Sequence, residues 1–155
     1  MKTLTLMTAV GLLSIFGTFA MALENPFADV IQTRQGLMLQ MSADMAKMGA
    51  MVKAETPFDG AVAGKAAANV AAIASVLSMD QFPVGSENGT AADSYAKAEI
   101  WGNQADFLAK IADLNTAAVA LVAAAGTDVD SLKAGMGAVG KACGACHTAY
   151  RVTEN

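Results

Sequence analysis

Both cysteines and the only histidine of the 155-residue chain fall within five consecutive positions, in the run KACGACHTAY from Lys141 to Tyr150. Cys143, Cys146 and His147 spell C-x-x-C-H, the pattern of covalent haem attachment. On a helix these two thiols stand one turn apart on one face, so they can form thioether bonds to the two vinyl groups on one edge of a porphyrin. His147 follows Cys143 by four residues, flanks the same face, and can bring its imidazole to the iron from one side. Other chemistries of these residue types fail on number or setting. Structural zinc wants four ligands around one ion, and three in a row on a helix cannot surround it. A thioredoxin-like pair needs a βαβ context, and a cysteine nucleophile needs a separately placed base. A disulfide stays open to an exported chain, but it would close a very small loop and leave His147 unexplained.

The elements that must position this motif are helical. No strand alternation stands out, turn signals are widely spaced, and Ala, Met, Leu and Val dominate. Four helices are expected: from Asn25, capping ahead of Pro26, to about Val52; from Gly60 to Met79; from roughly Trp101 to Ala125; and from a cap in Thr127–Asp130 to about Val152. The stretch DQFPVGSENGTAADS before the third helix is a long ordered loop or lid. Apolar residues recur at alternating spacings of four and three in each helix, for example Ile31, Met38, Met41, Met45 and Met48 in the first. Four such seams with mostly short connections make an all-α, antiparallel four-helix bundle. Both cysteines lie on the seam of the last helix, which places the haem in the bundle interior, where the many Ala and Gly residues leave room.

Arg34 also interrupts a seam, and a buried guanidinium needs an anion, for which a haem propionate is the expected partner. Met38 stands one turn further along. Because His147 is the only histidine, the sixth iron position falls to Met, Lys, water, a gas or nothing. Arg151, four residues after His147, is expected above the imidazole on the proximal side, and Phe82, Tyr95 and Trp101 either cover the haem edge or pack in the core or on the surface.

The N-terminus reads as an address. Lys2, the uncharged run that follows it and the A-x-A ending at Ala20 and Ala22 form a signal peptide over residues 1–22, leaving a single haem domain over 23–155 for the periplasm. No second long apolar run follows, so the processed protein is expected to be soluble with no membrane span. Fourteen acidic residues against ten basic ones give a net charge of -4, with no basic stripe, which argues against nucleic acid.

Taken together, RQGLM (Arg34 to Met38), FPVGS (Phe82 to Ser86), AEIW (Ala98 to Trp101) and VGKACGACHTAYR (Val139 to Arg151) resemble the cytochromes c′, the class II c-type cytochromes, over essentially all of the processed chain. The resemblance implies a left-handed four-helix bundle, paired as a homodimer through its first two helices. It implies one covalent haem c per chain with five-coordinate, high-spin iron and His147 as its only protein ligand. It places Arg34 and Gln35 near the propionates, Met38 on the distal face and Arg151 over the proximal pocket. The implied function is non-enzymatic binding of nitric oxide and carbon monoxide, with electron transfer to an unidentified redox partner. Low-spin relatives of the c-556 type use a methionine of the first helix as sixth ligand, and Met38 occupies that place; such a chain would be an electron carrier.

Overall fold

A computed structural model describes residues 25–153; the expected signal peptide lies outside the described residues. The elements are α1 (Ala28–Val52), α2 (Gly60–Val76), a 3-10 turn (Met79–Gln81), α3 (Glu99–Gly102), α4 (Gln104–Ala124) and α5 (Val129–Tyr150). Among the described residues no strand forms, and the four long helices build an antiparallel four-helix bundle. Around the bundle the order is α1, α2, α4, α5; α4 and α5 associate most closely, while α5 and α1 close the ring only loosely.

Local chemistry sets the helix ends. Asp59 caps α2 by accepting from the amides of Ala61 and Val62, and Asp128 caps α5 by accepting from Ser131. Three boundaries differ from the sequence expectation. Asn25 does not open the first helix: its Oδ1 accepts from the Phe27 amide at 3.0 Å, a turn that hands over to α1 at Ala28. The second helix stops at Val76, because Leu77 is extended and Ser78 caps a separate 3-10 turn through a box closed by Gln81. The last helix stops at Tyr150, because Arg151 leaves the helix to bridge Ala96, with the Lys97 amide donating to the Tyr150 carbonyl and Val152 to that of Tyr95.

Met48, Val70, Leu121 and Leu132, one from each long helix, are wholly buried. Each stabilises the fold by roughly 1.5–3 kcal/mol relative to exposure. On α2 the buried face is largely alanine (Ala63, Ala66, Ala67, Ala74), so its neighbours approach closely. The approach is tightest at Gly60, where an added Cβ would stand 2.7 Å from the Gly126 carbonyl oxygen. Backbone is pressed against backbone there and no rotamer can relieve it. Gly60→Ala should therefore lower stability by about 1–3 kcal/mol, read as a drop in the denaturant midpoint at unchanged m-value.

The stripe that α1 buries is not quite the expected one. Ile31, Arg34, Met41 and Met48 are buried as the spacing predicts, but so are Asp44 and Met51, while Met38, Met45 and Val52 are only half-buried. Asp44 and Met51 each stand one position before the expected residue, and Asp44 meets Asn69 of α2 there. Asp44 is tolerated because Gln40 and Asn69 donate to its carboxylate at 2.9 and 3.2 Å, with the Lys47 ammonium 3.8 Å away. On α4 the reading of a single long apolar run needs correction. Gln104–Ala124 is long and apolar enough by composition to cross a membrane, with a mean hydropathy of 1.6. In the fold it supplies Phe107, Leu114, Ala118 and Leu121 to the bundle core.

Candidate haem site

Between the loosely joined α1 and α5 the bundle encloses a cavity of about 700 Å³, within the size range of cofactor pockets. All four long helices and the loop after the 3-10 turn contribute to its wall. The α5 wall carries Cys143, Cys146 and His147, as the one-turn spacing predicts. Both thiols are free and half-buried, and burial pushes both above the ordinary cysteine value, Cys146 further helped by its proximity to Cys143. Both therefore favour the thiol form at neutral pH. His147 stands at the lip of the cavity, where desolvation and then the charge of Arg151 hold its imidazole below the usual histidine range. It is neutral near pH 7 and has a ring nitrogen lone pair to give to a metal.

On the α1 wall, Met38 is half-buried and packs against the main core cluster, with Met41 and Met45 lining the same cavity. Arg34 is buried at 5% exposure and also lines it. Its guanidinium, drawn below the ordinary arginine value by desolvation, faces neutral acceptors. Nη1 donates to the Gln81 carbonyl at 3.1 Å and to Ser86 Oγ at 2.9 Å, and Nη2 donates to the Ser86 carbonyl and to Ser94 Oγ, both at 2.7 Å. Gln35 donates to the Asp93 carbonyl at 2.6 Å. The Arg151 guanidinium lies 5.7 Å from the centre of the Tyr95 ring. Phe82 and Tyr95 line the cavity, and Trp101 packs beside it with its indole donating to the Phe82 carbonyl at 3.0 Å.

The residues present suit the group the motif calls for. The pocket is large enough, both thiols open onto one wall, a neutral imidazole stands beside them, and the remaining wall is mainly apolar.

A second cluster on the α5 side was not foreseen from sequence. Phe82, Phe107 and Tyr150 stack edge to face, with centroids 4.8 and 5.2 Å apart, and the Tyr150 hydroxyl donates to Asp106 at 2.6 Å. Lys110 lies 3.5 Å from the same carboxylate and also lines the cavity. Nothing in the spacing pairs residues 106 and 150, which meet only because α4 and α5 are antiparallel neighbours. Donation to Asp106 pushes the Tyr150 phenol up to about 12. An unfolded tyrosine ionises near pH 10, so between pH 10 and about 12 the unfolded state sheds the proton first and stability falls as pH rises. The difference in midpoint between the parent protein and Tyr150→Phe should therefore be steady below pH 10 and shrink above it.

Residues 29–151 match the family model described as cytochrome c′. The chain is 49% identical to cytochrome c-554 of Cereibacter sphaeroides over 79% of its own length and 80% of the relative's. It is 36% identical to cytochrome c-556 of Agrobacterium fabrum over 99% and 97% of the two lengths. Its fold superposes on the structure of cytochrome c prime from Shewanella frigidimarina with a TM-score of 0.73 at 36% identity, covering 82% of this chain and 97% of that one.

Proposed function

The chain belongs to the cytochrome c′ family, whose cofactor is covalent haem c, and from that premise we propose that it is a periplasmic, non-enzymatic haem protein that binds nitric oxide and carbon monoxide and can pass electrons to a redox partner. Cys143 and Cys146 would hold the haem as thioethers, and His147 would give its imidazole to the iron. Bound there, the haem supplies an iron that takes up diatomic gases and changes oxidation state. The chain determines what reaches it. Met38, on the first helix, stands as an apolar block on the distal side, excluding polar and bulky ligands and yielding to small neutral ones. Arg34 and Gln35 lie toward the propionates, and Arg151 biases the proximal side by its charge. Two copies pair through α1 and α2, whose outward surfaces expose Leu39, Val62 and Val76.

The observation that carries this reading is the neighbourhood of Met38. It is half-buried against the core with Met41 and Met45 lining the same cavity, and the Arg34 and Gln35 donors that also line it are turned to the loop, on Gln81, Ser86, Ser94 and Asp93. A second reading, in which Met38 is the sixth ligand of a low-spin electron carrier, is favoured by the likeness to relatives named c-554 and c-556. Absorption and electron paramagnetic resonance spectra of the ferric and ferrous protein, with and without carbon monoxide, separate the two. A high-spin spectrum that converts with the gas supports the first reading. A low-spin spectrum indifferent to it overturns that reading in favour of the second.

A further inference from the structure

The segment between the 3-10 turn and α3 is long and has no regular structure of its own, yet it buries polar groups: Ser86 is 0% and Ser94 2% exposed. Buried hydroxyls and carbonyls without partners would be costly, so something must hold them. Their partner is Arg34. All four of its Nη hydrogens are spent on this segment and the turn before it, on Gln81, on both Ser86 acceptors and on Ser94. Phe82 lies beneath the guanidinium, 5.0 Å from ring centre to Cζ. Ser94 Oγ in turn donates to the Ser86 carbonyl at 2.6 Å, and Asn88 ties the ends of the loop by donating to the Ser94 carbonyl at 2.7 Å. None of the ion pairs among the described residues involves Arg34. At most the Nε–H is left for an anion.

We propose that Arg34 is a positioning residue that builds the loop wall of the haem cavity, gathering residues 81–94 onto α1 through a planar fork of hydrogen bonds and so placing Phe82, Tyr95 and Ala96 against the haem. The charge is secondary to the shape: four acceptors at fixed positions around one plane need a guanidinium, and an ammonium on a single point cannot reach them all. Gln35 extends the same clasp to Asp93. The role goes beyond service to a propionate, and it holds whichever ligand occupies the distal side of the iron.

The test uses the haem-loaded protein and three variants: Arg34→Lys, Arg34→Gln and Ser94→Ala. Amide hydrogen exchange over residues 83–97 reports the loop directly. Trp101, the only tryptophan, gives a second readout, because its indole is tied to the Phe82 carbonyl and its emission is quenched in proportion to its closeness to the haem. Both Arg34 variants are expected to speed loop exchange by at least about tenfold and to raise Trp101 emission, with Lys no better than Gln. Ser94→Ala keeps the cation and loses one acceptor, and should give a smaller change in the same amides. The proposal is overturned if Arg34→Lys restores parental exchange, since charge alone would then suffice. It is equally overturned if Ser94→Ala leaves the loop as in the parent while Arg34→Gln alters only the reduction potential, as a pure propionate partner would. Should Arg34→Gln fail to fold, Arg34→Lys and Ser94→Ala still decide the matter.

Discussion

If His147 holds the iron as proposed, His147→Ala should leave the haem on the chain and remove its native ligand. The proposed attachment is through Cys143 and Cys146, which line the cavity independently of the imidazole, so haem should still migrate with the polypeptide on a denaturing gel. The native spectrum should be lost entirely, because no second histidine exists to replace the first. Added imidazole should restore much of it, since His147 sits at the lip of the cavity and a small ligand can enter by the same route. An unaltered spectrum in the variant would remove His147 from the iron. The converse substitution of both cysteines by serine should leave a polypeptide that binds haem reversibly at best.

Shortening Met38 to alanine tests the other side of the site. If Met38 blocks an open iron, the variant should bind carbon monoxide on the order of tenfold faster, equivalent to about 1.4 kcal/mol off the barrier, while the resting spectrum stays high-spin. Met48, further along α1, is wholly buried and does not line the cavity, so Met48→Ala should cost stability, about 2–5 kcal/mol, without opening the gas path. A stopped-flow trace in which Met38→Ala matches the parent would show that Met38 is not the obstacle. A change from low spin to high spin in the same variant would show that its sulfur had been on the iron.

Much of the architecture was legible without coordinates because it depends on short-range repetition. The seams of α2, α4 and α5 could be read from alternating spacings of apolar residues, and Ala63, Ala66, Val70, Leu114, Ala118, Leu121, Leu132 and Val139 are buried as that pattern predicts. The haem motif was legible for the same reason, since Cys143, Cys146 and His147 lie within two turns of one helix and their mutual geometry follows from helical pitch alone. Where periodicity carries little information the expectation slipped. The burial of Asp44 beside Asn69 and the early stop at Tyr150 beside Ala96 are each decided by a neighbour rather than by the local residues.

What this sequence determined by itself was a helical bundle that presents two thiols to its interior with one imidazole flanking them, because side chains three and four residues apart lie along one side of a helix. What only the tertiary structure decided is how residues far apart in the chain serve that site. Arg34 stood out as a cation on an apolar seam, but nothing in its surroundings announced that its acceptors would be Gln81, Ser86 and Ser94, up to 60 residues away. Tyr150 and Asp106, 44 residues apart, likewise meet only once α4 and α5 lie side by side. Hydrogen bonds across such separations depend on how the helices are packed and how the loop returns to them. That geometry is set by the sum of many burial terms, so no local pattern of residues encodes it.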